Sequence, residues 1–244
     1  MKVFITGVSR GIGLALAKRI LAEGHEVWGV SRTEKSLITD AKFIYSQCDI
    51  TSETEVSTVA RQMQDRDFLP DSVILNAGIE KPDLENGYDY KVGQEIFQTN
   101  FDGAMRWVDL FLRFEKKPSQ FIALSSVFAL RPNDLSISYS ASKAALSMAF
   151  RGLRYQFDKS QVMFKIIYLV AVNTVIKPSY QVYITEKKPP FFVISPERAA
   201  QFISRTLSKR KENFYSHFFI SLLIRMTLFL PDSIFKKLTD PFRR

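Results

Sequence analysis

The pair of residues best suited to chemistry is Tyr139 and Lys143, which lie four positions apart. A tyrosine with its ordinary pKa of about 10 exchanges its proton poorly near neutrality, so its anion needs a neighbouring positive charge. Residues four apart on a helix share one face, and Lys143 can therefore supply that charge. The pair predicts a group that gives and takes a proton.

The same spacing recurs at Tyr155 and at Tyr183, each with a lysine four residues on, so spacing alone does not identify a site. Tyr139 differs because small residues share its predicted helix and a serine pair, Ser125-Ser126, precedes it at a predicted strand end. Neighbouring strand residues point to opposite faces, so we expect Ser126 at the site and Ser125 in a structural role. We assign the chemistry to Tyr139 rather than to the other two tyrosines.

Strands and helices alternate along the chain, which predicts how these residues are positioned. Short β-branched or aromatic runs end at turns, and apolar residues recur at helical spacing between them. Strands are predicted over 2–6, 26–30, 42–45, 72–75, 121–124 and 164–170, and helices from 12 to a stop at 24 and over 53–63, 101–114 and 139–157. Parallel neighbours need helical crossovers, so we expect a doubly wound, mostly parallel α/β sheet in one domain, 1–244.

Composition excludes several classes of protein. Hydrophobic residues are 46% and charged residues 24%, with a net charge of +9, which is typical of a globular chain and excludes disorder and fibres. Cys48 is the only cysteine and the two histidines are far apart, so we expect a reduced compartment, no internal disulfide and no metal. The N-terminus does not resemble a secretory signal, and the apolar stretch 218–230 is shorter than the roughly 18 to 20 residues that span a bilayer.

Three glycines fall between the first strand and the first helix. A nucleotide pyrophosphate needs close approach to the backbone and the positive end of a helix, and glycines at this junction provide both. The turn therefore predicts dinucleotide binding. Its predicted contact residues are Gly7, Ser9, Arg10, Gly11, Ile12 and Gly13.

The Thr-Gly-x-x-x-Gly-x-Gly form of this turn, followed in order by later motifs, resembles the short-chain dehydrogenase/reductase family over about residues 1–210. The other matching elements are Asp49, Asn76-Ala77-Gly78, Asn100, Ser126 and the Tyr139-x-x-x-Lys143 pair. The resemblance implies a Rossmann-fold oxidoreductase that transfers a hydride between a nicotinamide cofactor and a carbonyl or alcohol substrate. It also implies further cofactor contacts at Ser31, Arg32, Asp49, Ile50, Asn76, Ala77, Gly78, Tyr139, Lys143, Val172 and Thr174.

By this resemblance the catalytic residues are Asn100, Ser126, Tyr139 and Lys143. Tyr139 gives or takes the proton of the substrate oxygen, and Ser126 donates a hydrogen bond to that oxygen. Lys143 also binds the nicotinamide ribose. Asn100 holds a water that links Lys143 to solvent.

The cofactor is predicted to be NADP, with NAD less favoured. NAD selectivity usually comes from an acid at the end of the second strand, which bonds the ribose hydroxyls. Here that strand ends in Ser31-Arg32 without an acid, and Arg10 adds a cation inside the glycine turn. Arginine can grip the extra phosphate of NADP through two parallel hydrogen bonds. The alternative is that Arg32 stacks on adenine and Arg10 is solvated.

One element departs from the family pattern. After the sixth strand the family usually has Pro-Gly, but this chain has Leu169-Val170. A side chain in place of that glycine fills a crowded space beside the nicotinamide. The resemblance assigns a carboxamide contact to the nearby Thr174. The departure keeps open a second class of function, a catalytically weak NADP-binding sensor or scaffold protein.

The C-terminal tail, about 212–244, is basic and apolar. From residue 205 onward there are nine Lys/Arg and three Asp/Glu. A helix predicted over about 214–230 is apolar except for a stripe of His217, Ser221 and Arg225, so it must be covered. Its cover is the substrate pocket, a second subunit or an anionic membrane surface. No base-reading motif accompanies the charge, so we expect no nucleic-acid partner.

The segment at about 175–195 falls where the family has its substrate lid, and its aromatic residues favour an apolar small-molecule substrate. By resemblance, the helices over 100–114 and 139–157 form the interface of a homodimer or homotetramer. We expect a cytoplasmic protein, peripheral at a membrane surface if the tail binds one.

Overall fold

The computed structural model describes residues 1–81, 87–131, 136–174 and 193–239. The described strands form one sheet in the order β3-β2-β1-β4-β5-β6-β7, and every neighbouring pair is parallel. The strands are β1 (Lys2–Thr6), β2 (Glu26–Ser31), β3 (Phe43–Gln47), β4 (Ser72–Leu75), β5 (Gln120–Ser126), β6 (Met163–Leu169) and β7 (Asn213–Tyr215). The predicted doubly wound parallel fold is confirmed.

Helices cover both faces of this sheet. They are α1 (Gly11–Ala22), α2 (Glu53–Asp65), α3 (Tyr90–Phe97), α4 (Gly103–Leu112), α5 (Ile137–Gln156), α6 (Pro196–Ser204), α7 (Phe218–Thr227) and α8 (Asp232–Thr239). A π-helix over Gln98–Asp102 leads into α4, and a 3₁₀ turn over Val127–Ala129 follows β5. None of the described helices is both long enough and apolar enough to cross a membrane.

The core has two layers because alternate strand residues point to opposite faces. In β1, Val3 and Ile5 pack in the layer under α1 and α6, whereas Phe4 packs in the layer under α2, α4 and α5. The second layer is aromatic, with the Phe4 and Trp107 rings 4.4 Å apart. Burial on both faces explains why the strands read as continuous apolar runs.

The C-terminal end corrects one predicted element. The helix expected over about 214–230 begins only at Phe218, because Asn213–Tyr215 form β7. Residues Ile166 to Tyr168 of β6 pair with this strand, and the Phe214 side chain is buried. The unpaired edge of β6 takes up the apolar residues as a strand, which outweighs their helical spacing. Most of the predicted substrate lid, residues 175–192, lies outside the described residues.

The carboxyl ends of the strands form one edge of the sheet, and the order reverses between β1 and β4. Open α/β sheets bind ligands at such an edge and at such a reversal. The residues that follow β1, β4 and β5 therefore meet there. These are the glycine turn, Asn76-Ala77-Gly78 and the serine end of β5.

Candidate active site

A cavity of about 510 Å³ opens at the carboxyl edge of the sheet. It extends from the glycine turn after β1 to the start of α5, so one continuous space joins the predicted dinucleotide site and the predicted catalytic residues. Its volume lies within the range of about 300 to 1,000 Å³ that small-molecule and cofactor sites have.

The glycine turn at one end requires its glycines. Gly7 has a φ of +77°, which residues with side chains rarely adopt. A Cβ on Gly13 would lie 2.0 Å from the Gly7 carbonyl oxygen, so α1 can approach the end of β1 only without one. The Asn76 side-chain amide donates to the carbonyls of Thr6 and Gly7, at 2.8 and 3.0 Å. The turn is thus fixed from β4 as well as from β1.

The N-terminus of α1 faces this turn and suits a pyrophosphate. Arg10 occupies the cap position, its side chain makes no capping hydrogen bond, and the first turn of α1 has no acid. The first N–H groups and the positive end of the helix dipole are therefore available to an anion. Gly11, with φ +56°, comes within reach of Thr174, whose Cγ2 would be 3.2 Å from an added Cβ. The structure places Thr174 against the glycine turn.

The end of β2 forms the next part of the wall. The Ser31 hydroxyl is 2.7 Å from the Tyr45 hydroxyl and 2.9 Å from that of Thr33, which fixes the backbone where Arg32 leaves the sheet. Arg10 and Arg32 are both exposed and both line the cavity. Two exposed cations therefore lie at this part of the wall.

Asp49 lies across the cavity from the turn, in the loop after β3. Its carboxylate accepts hydrogen bonds from the Thr51 backbone N–H and hydroxyl, at 2.9 and 2.8 Å. The Arg106 guanidinium of α4 holds the neighbouring Ile50 carbonyl at 2.9 Å. Asp49 and Ile50 both line the cavity.

At the other end of the cavity, the last residue of β5 meets α5. Ser126 hydrogen-bonds Tyr139, and both side chains line the cavity with Lys143. The Lys143 Nζ lies 5.8 Å from the centre of the Tyr139 ring. Ser125 has its hydroxyl 2.8 Å from that of Ser147 and donates to the Lys143 carbonyl at 3.3 Å, so it fastens β5 to α5.

Lys143 is a buried cation with a fixed position. Its side chain is 5% exposed, and Nζ donates to the Leu124 carbonyl at 2.9 Å. Gly78 makes room for it, since a Cβ there would lie 3.3 Å from Nζ. Burial lowers the pKa of Lys143 to about 8, although the Glu80 carboxylate acts in the opposite direction. The ammonium form still predominates at pH 7.

Tyr139 differs from expectation in its acidity. Burial is the largest effect on its pKa and raises it, the Glu80 carboxylate raises it further, and the hydrogen bond with Ser126 lowers it. The acidifying effect expected from Lys143 is not among the causes of this shift. Tyr139 is therefore held as a neutral phenol near neutral pH.

Glu80 is a site residue that sequence reasoning missed. It follows the Asn-Ala-Gly element, lines the cavity, and accepts a hydrogen bond of 2.9 Å from the Ser136 hydroxyl at the cap position of α5. Its influence on Tyr139 and Lys143 depends on contact between the loop after β4 and α5. Only the tertiary structure shows that contact.

Asn100 lies behind the cavity rather than in its wall. It is fully buried in the π-helix, where Oδ1 accepts from the Ile79 N–H at 2.8 Å and Nδ2 donates to the Ile79 carbonyl at 2.9 Å. Nδ2 is also 3.1 Å from the Ser142 hydroxyl of α5. Asn100 thus ties the loop after β4 to the helix that carries Tyr139.

The departure from Pro-Gly is accommodated in the wall of the cavity. Leu169 and Val170 are 6% and 5% exposed and line the cavity beside Val172. The Val170 N–H donates to the Ser216 hydroxyl at 2.9 Å. Their side chains make this part of the wall apolar and leave the cavity open.

Among the predicted cofactor contacts, all line the cavity except Gly11, which lies in the glycine turn beside Thr174.

Tyr155, by contrast, is 92% exposed and outside the cavity, and Lys159 pairs instead with Glu212 at 2.9 Å. The pair formed by Tyr183 and the lysine after it lies outside the described residues. The cavity residues that sequence reasoning did not single out for the site include Thr33, Cys48, Ile79, Thr99, Leu124 and Ala171, mostly neighbours of the predicted ones.

Comparison with known proteins is consistent with this geometry. The family model described as short chain dehydrogenase matches residues 1–182. A fatty acyl-CoA reductase of Acinetobacter baylyi is 32% identical over 225 residues, which cover 87% of this chain and 75% of that protein. A benzil reductase of Saccharomyces cerevisiae is 30% identical over 161 residues, and the match covers 59% of this chain and 61% of that protein.

Solved structures share the fold at low identity. A short chain dehydrogenase from Burkholderia cenocepacia, in complex with NADP, has a TM-score of 0.82 at 20% identity and covers 97% of this chain and 95% of its own. A 4-hydroxyisoleucine dehydrogenase mutant complexed with NADH and succinate has a TM-score of 0.78 at 19% identity, covering 88% of this chain and 96% of its own.

Proposed function

Because the chain belongs to the short-chain dehydrogenase family, we propose that it is an NADP-dependent reductase of carbonyl compounds in which Tyr139 donates the proton. Family membership makes it an NAD(P)-dependent oxidoreductase acting on carbonyl or alcohol groups. The observation that carries the finer proposal is the meeting of Ser126, Tyr139 and Lys143 in the cavity that begins at the glycine turn.

Each residue then has a defined task. When bound along the cavity, a nicotinamide cofactor would supply the hydride that the carbonyl carbon accepts. The Ser126 and Tyr139 hydroxyls bind the carbonyl oxygen, and Tyr139 passes its proton to that oxygen as negative charge develops there. The Lys143 ammonium stabilises the phenolate that remains on Tyr139. Asn100 positions these groups by holding α5 against the loop after β4.

The protonation states of Tyr139 and Lys143 near neutral pH are those from which reduction begins. Burial and Glu80 raise the pKa of Tyr139, so the phenol is the form present at neutral pH. Lys143, with a pKa of about 8, is mainly an ammonium there. Reduction begins from this charge state, whereas oxidation of an alcohol requires Tyr139 to lose its proton first.

Replacing Tyr139 tests the catalytic role. Tyr139→Phe removes the proton but keeps the ring, and we expect kcat to fall about 10² to 10⁴-fold, the usual contribution of a general acid. The chain offers a matched control, since Tyr155→Phe changes an exposed tyrosine that also has a lysine four residues on. Full turnover by the Tyr139 variant on a substrate that the wild type accepts would reject the role.

The NADP preference is supported by Arg10 and Arg32, which both line the cavity beside Ser31, and by the absence of an acid in the Glu26–Ser31 strand at its carboxyl end. Hydrogen bonds to charged groups are worth about 1.5 to 3 kcal/mol, so losing one weakens binding roughly tenfold or more. We expect NADPH to bind more tightly than NADH, and Arg32→Ala to weaken NADPH binding without a comparable effect on NADH. Fluorescence titration measures both, and tighter NADH binding by the wild type contradicts the preference.

Dinucleotide binding itself is tested at the glycine turn. Gly13→Ala places a Cβ against the Gly7 carbonyl, and we expect affinity for both dinucleotides to fall by more than about tenfold as the turn shifts. Gly152→Ala is the matched control, because a Cβ there meets nothing within 4 Å. Unchanged affinity in Gly13→Ala, measured by the same titration, would place the dinucleotide elsewhere.

An apolar carbonyl substrate is supported by the walls at the catalytic end. Phe128, Leu169 and Val170 line the cavity around Ser126 and Tyr139. The similarity to a fatty acyl-CoA reductase makes acyl-derived carbonyls the first compounds to assay. Turnover of a series of aldehydes and ketones of increasing chain length should rise with length. A flat series would contradict an apolar pocket.

A catalytically weak NADP-binding sensor or scaffold is not favoured, because Ser126, Tyr139 and Lys143 are all present and meet in the cavity. Tight NADPH binding without oxidation of the cofactor by any compound in a broad carbonyl panel would restore that alternative.

Assembly and location stay predictions. A homodimer or homotetramer through α4 and α5 is supported by the exposed apolar Met148 on α5, which is 61% exposed. Sedimentation velocity of the wild type and of Met148→Glu tests that interface. A cytoplasmic location is one of these predictions. Peripheral membrane contact is another, and it depends on the surface of α7.

A further inference from the structure

The helix α7 buries Ser221 against the protein and leaves Arg225 and most of its large apolar residues exposed. Ser221 is 2% exposed, and the Arg225 guanidinium lies 5.2 Å from the centre of the Tyr215 ring of β7. The outward residues form what we name the apolar face of α7. They are Phe218 (70% exposed), Phe219 (74%), Leu222 (42%), Leu223 (64%), Met226 (62%) and, in the turn after the helix, Phe229 (90%).

This face is firmly attached to the catalytic end of the molecule. Arg131, five residues after Ser126 in the chain, donates to the Leu230 carbonyl at 2.7 Å and also binds the Thr227 carbonyl and the Asp232 carboxylate. The Arg131 guanidinium also lies 4.8 Å from the centre of the Phe235 ring in α8. The end of α7 and the turn after it are therefore anchored to the segment that follows β5.

A second anchor lies at the start of α7. The Ser216 hydroxyl accepts a hydrogen bond from the Val170 N–H at the cavity wall, and the His217 side chain accepts from the Ile220 N–H. Because β7 is parallel to its neighbours, α7 begins at the carboxyl edge of the sheet, the edge where the cavity opens. The apolar face and the catalytic end of the cavity thus belong to one side of the molecule.

The charge around this face decides between a second copy and a lipid surface. From residue 217 onward, the part of the sequence that begins with α7, there are five Lys/Arg and two Asp/Glu. One of the two acids, Asp232, is already paired with Arg131. Two copies meeting through this segment would bring like charges together. An anionic membrane would complement both the positive charge and the apolar side chains.

We propose that the apolar face of α7 inserts into the headgroup region of an anionic membrane, with the catalytic end of the cavity held at the bilayer surface. Aromatic and aliphatic side chains on an interfacial helix bury in the boundary between headgroups and acyl chains, while nearby cations bind the anionic headgroups. The substrate then reaches the cavity from the bilayer and is a membrane-resident carbonyl compound. This last step rests on the proposed reductase function, whereas the membrane contact does not.

Vesicle co-sedimentation of the full chain tests the contact without any assay of turnover. The probes are vesicles of phosphatidylcholine alone and vesicles containing one quarter phosphatidylglycerol. We expect the protein to bind the anionic vesicles at least about tenfold more strongly, and high salt to weaken that binding, because the attraction of the basic residues is lost when the surface charge is absent or screened.

A double variant, Phe219→Ser with Phe229→Ser, removes two large side chains from the face. Because both side chains lose their burial in the bilayer, we expect partitioning onto anionic vesicles to fall at least about tenfold. Tyr155→Ser is the matched control, since Tyr155 is 92% exposed and lies beside Glu212, near the amino end of β7. It should bind as the wild type does.

Three outcomes overturn the proposal: no binding of the wild type to anionic vesicles, equal binding of the double variant, or equal loss in Tyr155→Ser. A fourth is loss of self-association by the double variant in lipid-free sedimentation velocity, which would assign the face to a second copy. Failure of Tyr139→Phe to lower turnover would reject the proposed reductase role and leave these binding results unaffected.

Discussion

The helices α5 and α7 both bury serine side chains on their inner faces, but the surroundings of these serines differ. On α5 the buried Lys143 and Ser147 are hydrogen-bonded to β5 and to the helix backbone, and the cavity opens beside them. On α7 the buried Ser221 hydroxyl has no hydrogen-bond partner within the described parts of the chain, and the apolar residues remain outside. The inner face of α5 carries the residues to which we assign catalysis. The outer face of α7 carries the residues to which we assign the membrane contact.

The largest effect that tests this contrast is expected at Lys143. In Lys143→Met the buried ammonium is gone, the phenolate of Tyr139 is no longer stabilised, and we expect kcat/KM to fall about 10² to 10⁴-fold. Lys159→Met is the matched control, because Lys159 belongs to the exposed Tyr155–Lys159 pair, and it should keep the wild-type kcat/KM. Steady-state kinetics with NADPH and a carbonyl substrate measure both. A small loss in Lys143→Met would mean that the polar inner face of α5 serves packing only.

A second test changes the charge that reaches α5 from the loop after β4. The Glu80 carboxylate raises the pKa of both Tyr139 and Lys143. In Glu80→Gln the pKa of Lys143 therefore falls below about 8, so the ammonium is lost at lower pH. We expect the alkaline decline of kcat/KM to move to lower pH.

The matched control for that profile is Ser136→Ala, which removes the hydrogen bond to Glu80 and keeps the carboxylate. Its alkaline decline should stay where the wild type has it. If Ser136→Ala moves the profile as far as Glu80→Gln does, Glu80 acts through the position of α5 and not through its charge.

The smallest effects compare one buried serine in each helix. Ser147→Ala removes a hydroxyl that donates to the Lys143 carbonyl at 2.8 Å and leaves Ser125 without that partner, so we expect the free energy of unfolding to fall by about 1 to 2 kcal/mol. Ser221→Ala removes a hydroxyl without a described partner and should be neutral or slightly stabilising. Urea unfolding midpoints measure both. Equal destabilisation by the two substitutions would contradict the difference in hydrogen bonding between the buried serines of α5 and α7.

Much of the site was predictable because its signals are local in the chain. The glycine turn, Asn76-Ala77-Gly78 and Tyr139 with Lys143 each lie in short motifs, and parallel strands bring the ends of those motifs to one edge. The strand alternation likewise predicted β1 to β6 within a few residues. Local patterns suffice where backbone geometry dictates the residue type, as at Gly13.

What the sequence did not reveal depends on contacts between distant segments. The strand β7 forms because β6 has a free edge, so the run beginning at Phe214 could not be separated from a helix by its spacing. The role of Glu80 needs the packing of its loop on α5, and the raised pKa of Tyr139 needs burial that no spacing reports. The outward direction of the apolar face of α7 was also hidden, because a polar stripe usually faces water.

The bonds that Arg131 makes bear on how this protein can be handled in the laboratory. Its guanidinium is largely buried, and its partners at Thr227, Leu230 and Asp232 all come from the last eighteen residues of the chain. Trimming those residues would remove these partners from a largely buried cation next to the loop that follows Ser126, which is strongly destabilising. A version shortened within this segment should therefore be judged by its turnover before it is used for crystallisation.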